Sequence, residues 1–202
     1  MNVRKQITTY FEHAGFLNTT PVIDAVEERL KLKDIDTVVV PVSSGRTASQ
    51  FFDRLDRYSN IVTISEDEAV SACKRIAYSS EGLLGKLVQS RLEEVSGKVD
   101  KLLRREAFDM TFLPFCGEAW TPVRETLYAF GQGMKTAIEV AVAAVETKKV
   151  KPYSKIIAVG GTGEGADTAI VVKTSPQNEA FGKDAKKRLW ILEIIALPIE
   201  KL

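Results

Sequence analysis

A chain of 202 residues, 45% hydrophobic and 27% charged, has the composition of an ordinary globular protein. Its 28 Lys and Arg residues are balanced by 27 Asp and Glu residues, which leaves no basic excess of the kind that nucleic-acid-binding domains carry. No apolar run approaches the roughly 18 residues of a membrane span, and the polar N-terminus does not resemble a secretory signal. With only two cysteines, Cys73 and Cys116, the chain is expected to be a soluble cytoplasmic protein without nucleic-acid or membrane partners.

The N-terminal third of the chain alternates between predicted strands and helices. Strands rich in β-branched residues are predicted at residues 6–12, 36–42 and 60–65. The first intervening helix, capped by Thr19 or Thr20, is expected to bury Val22, Ile23, Val26 and Leu30. The second helix is expected to bury Ala48, Phe51, Phe52 and Leu55. This alternation predicts a parallel sheet with helices packed on it.

Residues 66–106 have an almost wholly helical pattern. An apolar stripe runs through Leu84, Val88, Leu92, Val95, Val99 and Leu102. Its coiled-coil spacing lasts for only about two heptads, whereas a convincing coiled coil needs roughly three or four. Gly97 also weakens a continuous helix. We therefore predict that the stripe packs within its own domain, with a homo-oligomer formed through residues 84–103 as the alternative.

The C-terminal half returns to alternating elements. A strand is predicted at residues 109–117, followed by the longest helix at residues 121–150. Gly131 and Gly133 are expected inside that helix, where they would allow close packing against a neighbour. Its expected inward residues are Val123, Leu127, Phe130, Met134, Ile138, Ala141 and Val145. A strand, a glycine-rich turn, a returning strand and a last strand at residues 188–198 complete the chain.

The turn between the second strand and the second helix has the residue types of an anion site. It comprises Ser43, Ser44, Gly45, Arg46 and Thr47. Backbone N–H groups at a helix N-terminus have no intrahelical partner and carry a partial positive charge, so they attract anions. The hydroxyls add donors, and arginine offers a bidentate fork for phosphate or carboxylate. A serine-capped helix with a surface arginine is an equally good interpretation of these residues.

A second candidate anion site is the glycine-rich turn. It comprises Gly160, Gly161, Thr162, Gly163, Glu164, Gly165, Ala166 and Asp167. It lacks the Gly-Lys-Ser/Thr of a Walker phosphate loop, and the β-branched residues after it predict a strand rather than the helix of a dinucleotide fingerprint. Its N–H groups can form an anion-binding nest, with Glu164 and Asp167 accepting hydrogen bonds from ligand hydroxyls. The alternative is a wide hairpin without a ligand.

The sequence offers little for catalysis. His13 is the only histidine, which excludes a His-centred metal site. We interpret it as a surface histidine and Cys116 as a buried structural cysteine, since no pattern lowers its pKa. We therefore predict no catalytic residue and no metal ligand. The alternative is an isomerase or hydrolase of a phosphorylated metabolite that uses Glu12, His13 or Glu118.

Four stretches together resemble a known family. They are "YFEHAGFLNT", "VVVPVSSGRTA", "AFGQGMKTAIEVAVAA" and "IIAVGGTGEGADTAIVV", and they cover about a quarter of the chain. In this order they resemble the pyruvate kinase C-terminal domain, specifically the small stand-alone, largely archaeal proteins that lack the catalytic barrel. The resemblance implies a single three-layer α/β/α domain over residues 1–202. Its mixed, mostly parallel sheet would have about five central strands. The helical pattern at residues 66–106 would then be an insertion in this domain.

The resemblance also implies a phosphorylated ligand. Ser43, Ser44, Gly45, Arg46 and Thr47 would hold its phosphate, and the turn at residues 160–167 would close over it. In the full-length enzymes this domain regulates and does no chemistry, so a non-catalytic binding domain is expected. A nucleotide such as FMN is as plausible a ligand as a sugar bisphosphate. Candidate further contacts are Glu12, His13, Asn18, Thr19, Cys116 and Gly117.

The chain departs from this family in two places. Residues 66–106 have no convincing counterpart, since the relatives carry a shorter, loop-rich segment there. The sequence "EHAG" at residues 12–15 replaces the usual lysine-proline-glycine run of the first loop. Both departures concern the side of the site that would shape the distal half of the ligand.

Overall fold

The computed structural model of the chain describes residues 3, 5–42, 45–65, 68 and 121–201. What the sequence predicts for the other residues stays a prediction. This applies to nearly all of the helical segment at residues 66–106, to the strand at residues 109–117, and to Ser43, Ser44, Cys116, Gly117 and Glu118.

Six strands of the described part of the chain form one mixed sheet, with the order β1-β6-β5-β4-β2-β3. They are β1 (Thr9–Phe11), β2 (Thr37–Val42), β3 (Asn60–Ser65), β4 (Lys155–Gly160), β5 (Thr168–Lys173) and β6 (Trp190–Pro198). Strand β5 is antiparallel to both of its neighbours, and the other three pairings are parallel. The predicted mixed, mostly parallel sheet is therefore confirmed, with six strands instead of about five.

Helices cover both faces of this sheet. Those in the described residues are α1 (Thr19–Leu30), α2 (Arg46–Leu55), α3 (Thr121–Tyr128) and α4 (Gln132–Glu146). The two-residue period of β2 separates the two cores, because successive side chains point to opposite faces. Val38 packs in a cluster with Val22 of α1 and Phe51 of α2. Its neighbour Val39 packs on the other face with Ile138 of α4.

The start of the chain differs from its prediction in two ways. Strand β1 spans only Thr9–Phe11 rather than residues 6–12, and Thr8 contacts β6 through its side chain, which donates a hydrogen bond to the Ile194 carbonyl at 2.9 Å. Helix α1 begins at Thr19 after a 3-10 turn at Phe16–Asn18, so its N-cap is Asn18. The Thr19 hydroxyl instead donates to the Phe16 carbonyl at 2.7 Å and ties the turn to the helix.

The prediction of one long helix at residues 121–150 is wrong. The chain forms two helices there, α3 and α4, and the break between them includes Gly131. This residue has φ 103°, a left-handed conformation that interrupts an α-helix and favours glycine. The break leaves Phe130 exposed rather than inward, and Phe52 of α2 is also exposed against prediction. Gly133 allows the predicted close packing against a neighbour, since a β-carbon there would overlap the Asp167 carboxylate and the Thr168 hydroxyl.

A buried arginine joins α1 to the sheet at the end opposite to the predicted anion sites. The Arg29 side chain is only 5% exposed. Its guanidinium donates to Glu193 of β6 at 2.5 and 3.0 Å and to Asp34 at 2.6 and 3.2 Å. Lys155 of β4 adds a bond to Asp34 at 2.5 Å. The cluster therefore connects α1, the loop after it, β4 and β6 by charge-assisted hydrogen bonds.

We expect this cluster to make folding sensitive to acid. Hydrogen bonds from Arg29, with a further contribution from Lys155, hold the pKa of Asp34 well below its ordinary value of about 3.9. The unfolded chain then binds more protons than the folded chain, so stability rises with pH. The contribution of Asp34 should be complete above about pH 5 and should decline progressively as the pH falls from about 4 toward the lowered pKa of the folded state. Urea unfolding measured from pH 7 to pH 2 tests this.

An Asp34→Asn variant should lose stability at pH 7 and show a shallower decline in acid than the wild type. Asp53→Asn, which removes an exposed carboxylate from α2, controls for the loss of one negative charge. Parallel acid profiles for the wild type and Asp34→Asn would contradict the expectation.

Candidate functional site

The topology of the sheet brings three loops to one edge. Strands β1, β2 and β4 run in the same direction, because β1 is parallel to β6, β2 is parallel to β4, and β5 reverses direction between β4 and β6. The segments that follow these strands therefore emerge at the same, carboxyl edge. Ligands of open α/β sheets commonly bind at this edge.

A cleft of about 220 Å³ opens there. Its lining residues come from all three segments: Phe16, Leu17, Thr19, Thr20, Arg46, Thr47, Gln50, Glu164 and Gly165. Five of them were singled out from the sequence, namely Thr19, Arg46, Thr47, Glu164 and Gly165. The two predicted anion segments, more than a hundred residues apart in the chain, thus share one cleft.

The N-terminus of α2 forms one wall of the cleft. Gly45 precedes it in a left-handed conformation, with φ 83°, and no side chain of the described residues caps it. The first helical hydrogen bond runs from the Ser49 N–H to the Gly45 carbonyl at 2.9 Å. The N–H groups of Arg46 and Thr47 come before that bond, as the first donors of any helix do. This wall therefore offers backbone donors, the Thr47 hydroxyl and a cationic side chain to an anion.

Arg46 faces Glu164 of the glycine-rich turn across the cleft. Their nearest charged atoms, Nη1 and Oε2, are 3.9 Å apart, and the two side chains are 77% and 74% exposed. An ion pair this open and this long contributes little stability in water. Arg46 can therefore turn to a ligand at small cost. The cleft is electrostatically divided, with a cation on the α2 wall and a carboxylate opposite.

The glycine-rich turn is fixed firmly to the start of α1. A β-carbon at Gly165 would overlap Phe16, so the two backbones touch. The Ala166 N–H donates to the Thr19 hydroxyl at 3.0 Å. Gly163 and Gly165 have φ values of 70° and 84°, which the turn requires. The turn and the residues from Phe16 to Thr19 consequently form one continuous wall.

Asp167 lies behind this wall and does not line the cleft. It is fully buried. Its Oδ2 accepts hydrogen bonds from the Gly15 and Thr162 N–H groups, each at 3.0 Å, and its Oδ1 accepts one from the Thr168 hydroxyl at 2.8 Å. The Thr162 N–H, which the sequence suggested for a ligand anion, is therefore bound to a carboxylate of the chain itself.

The other glycines of the turn are also structural. A β-carbon at Gly160 would overlap the carbonyl of Gly133, so α4 lies directly on β4 at this point. A β-carbon at Gly161 would overlap the carbonyl of Gly165 across the turn. Close backbone contact explains much of the glycine content of this segment.

Three further sequence candidates within the described residues, Glu12, His13 and Asn18, are not among the residues that line the cleft. The exposed His13 ring forms a contact of 2.8 Å with the Glu200 carboxylate, and the exposed Glu12 accepts the Glu200 N–H through its carbonyl at 3.0 Å. Asn18 donates to the His13 carbonyl at 2.7 Å. These residues shape the turn after β1, and this geometry gives Glu12 and His13 no place among the residues that line the cleft.

Sequence reasoning missed four lining residues: Phe16, Leu17, Thr20 and Gln50. The sequence could have indicated Gln50 as a lining residue, because Gln50 follows Arg46 by four positions and therefore lies on the same face of α2. Phe16 and Leu17, which are 63% and 80% exposed, looked like ordinary loop residues. Only the structure, with Phe16 against Gly165, shows that they border a site.

Within the described ranges, no group of three or more His, Cys, Asp or Glu side chains is placed to hold a metal ion. None of the helices that the structure describes combines the length and the apolar character needed to cross a membrane. No protein-family model matches the chain.

Proposed function

We propose that the chain is a non-catalytic binding domain for a phosphorylated small molecule, which it holds in the cleft between α1, α2 and the glycine-rich turn. One observation supports this above all: the α2 N-terminus, with Arg46 and Thr47, opens into a cleft that the second predicted anion segment also lines. Charge-assisted hydrogen bonds contribute about 1.5–3 kcal/mol each, so a few of them suffice for a phosphate group.

The lining favours a ligand with a single phosphate. Among the lining residues that the structure describes, Arg46 is the one lysine or arginine, and Glu164 opposes a second negative charge next to it. Phe16 and Leu17 present exposed apolar surface at the same cleft, which suits a flat or apolar group. A mononucleotide such as FMN, with one phosphate and a flat ring, fits both the single cation and the apolar surface better than a sugar bisphosphate does. A sugar monophosphate would use the cation but not the apolar surface.

The resemblance to stand-alone pyruvate kinase C-terminal domains belongs to the same proposal. The mixed sheet with helices on both faces is compatible with that fold, and a regulatory domain of this kind needs no catalytic group. We also propose a cytoplasmic location. The alternative function is that of an interaction protein that forms a homo-oligomer through residues 84–103, which lie outside the described residues.

Removing the cation of the α2 wall should weaken phosphate binding. We expect Arg46→Ala to reduce the affinity for glycerol 3-phosphate by about tenfold or more, because the variant loses at least one charge-assisted hydrogen bond. Isothermal titration calorimetry of the wild type and the variant measures the effect.

A matched control is Arg57→Ala. Arg57 follows α2 at its other end, where its guanidinium lies 4.8 Å from the Tyr58 ring centre. The substitution removes the same charge far from the cleft and should leave the affinity unchanged. Equal affinity in the wild type and Arg46→Ala, or an equal loss in both variants, would contradict the assignment.

Native mass spectrometry of freshly purified protein would identify the ligand class. A co-purifying mass of nucleotide or sugar-phosphate size supports the proposal, and visible absorbance from the same sample would single out a flavin. The bound mass should be reduced or absent in Arg46→Ala. A retained mass in that variant would place the ligand elsewhere.

A further inference from the structure

We infer that Asp167 is a positioning residue of the cleft: it holds the glycine-rich turn so that Glu164 accepts hydrogen bonds from hydroxyl groups of the ligand. The ligand class is then a phosphomonoester with hydroxyls near the phosphate, which sugar phosphates and nucleotides share. This inference rests on the proposed function, because it concerns how the same cleft selects among phosphorylated compounds.

Asp167 joins segments that are far apart in the chain. Its carboxylate binds the N–H of Gly15, which immediately precedes the cleft residues Phe16 and Leu17. It also binds the N–H of Thr162, which lies two residues before Glu164. One buried carboxylate therefore sets the backbone positions of both halves of this wall.

The glycine-rich turn directs its backbone donors away from the cleft. The Thr162 N–H points inward to Asp167, and the Ala166 N–H points inward to Thr19. The chain's own carboxylate thus occupies the position that an anion would take in a backbone nest. What the turn shows to the cleft is its outer side, with the exposed carboxylate of Glu164.

The Glu164 carboxylate is suited to binding hydroxyl groups. An ionised carboxylate accepts hydrogen bonds and donates none, so it favours hydroxyl groups and disfavours a second phosphate. Glu164 is 3.9 Å from Arg46, so a phosphate bound at Arg46 would leave its nearby hydroxyls within reach of Glu164. The N-terminus of α2 therefore binds the phosphate group, and the glycine-rich turn selects ligands that carry hydroxyl groups.

The position of Asp167 leaves little freedom to adjust. On its far side the carboxylate contacts Gly133, where a β-carbon would overlap it. Asn at this position keeps one uncharged acceptor oxygen, so its bonds to the Gly15 and Thr162 N–H groups lose their charge assistance, and its amide nitrogen cannot accept from the Thr168 hydroxyl. We expect the turn to shift in Asp167→Asn, while the α2 wall, which contributes none of the hydrogen bonds described for the Asp167 carboxylate, keeps its place.

The test compares two probes, inorganic phosphate and glycerol 3-phosphate, by NMR titration of the full chain. The wild type should prefer glycerol 3-phosphate by about tenfold, the effect of one hydrogen bond to a charged group. Asp167→Asn should bind inorganic phosphate as the wild type does and lose the preference. In a Glu164→Ala background, which removes the exposed carboxylate directly, Asp167→Asn should cause no further loss.

The outcomes separate this inference from the proposed function. A preference that persists in Asp167→Asn, an equal weakening of both probes, or a wild type without preference would overturn the inference alone. If neither probe binds the wild type, the proposed function fails and the inference fails with it. Should Asp167→Asn not fold, Thr168→Val removes one donor to the same carboxylate, and a reduced preference with unchanged phosphate affinity is expected.

Discussion

Replacing Arg29 by alanine should destabilise the fold by about 3–5 kcal/mol, the cost of removing one partner from a buried ion pair. The guanidinium is almost wholly buried and makes four hydrogen bonds to two carboxylates. Asp34 would keep Lys155, but Glu193, which is largely buried, would lose both of its bonds to Arg29. Since small domains are stable by only about 5–15 kcal/mol, a large part of the total would be lost. Urea unfolding at pH 7 measures it.

Arg54→Ala is the matched control for this substitution. Arg54 also bridges two carboxylates, Asp24 at 2.7 Å and Glu27 at 3.1 Å, but its side chain is 45% exposed. Exposed pairs contribute about 0–1 kcal/mol, so this variant should unfold close to the wild type. If the two arginine variants lost similar amounts of stability, burial would not be what gives the Arg29 cluster its importance.

Gly160→Ala is expected to be among the most damaging single-methyl additions in the described part of the chain. The new β-carbon would overlap the Gly133 carbonyl and approach the Ala137 N–H, both of them backbone atoms of α4. Backbone cannot rotate away as a side chain can, so α4 must move off the sheet. Overpacking of this kind costs typically about 1–3 kcal/mol and occasionally more, and we expect a loss of at least about 3 kcal/mol.

Gly163→Ala separates the effect of packing from that of backbone conformation. Gly163 has φ 70°, and a β-carbon there would meet nothing within 4 Å. The cost should therefore be only that of a left-handed alanine, about 1–2 kcal/mol. Thermal unfolding of both variants gives the comparison. A Gly160→Ala protein as stable as Gly163→Ala would show that α4 does not rest on β4 as closely as the structure indicates.

Much of the fold was predictable because its elements follow local patterns. Strands β2 and β3 are short apolar runs bounded by polar turns, and their predicted extents match the structure within one residue. The β-branched run of β5 correctly predicted a strand after the glycine-rich turn. The prediction failed where a glycine interrupts a continuous apolar pattern. The helix of residues 121–150 has a continuous apolar pattern, but the left-handed backbone at Gly131 divides it.

The candidate site was predictable in part for a related reason. Residue types at the ends of β2 and β4 indicated anion binding, and parallel topology indicates that such ends meet. The sequence could not show that the Asp167 carboxylate turns inward, because its donors Gly15 and Thr162 lie in different segments. Nor could it show that Phe16 borders the cleft. That contact depends on Gly165, whose missing side chain allows the two backbones to touch.

Anion binding at the N-terminus of α2 is tested most directly by titrating isotopically labelled protein with inorganic phosphate and recording ¹⁵N–¹H NMR spectra. We predict that the largest saturable shifts occur at the amides of Arg46, Thr47 and Ala48, and that Arg46→Ala weakens them. This result would place an anion at the N-terminus of α2. Shifts confined to other amides, such as those at the start of α4, or no saturable shift at any amide, would contradict the account.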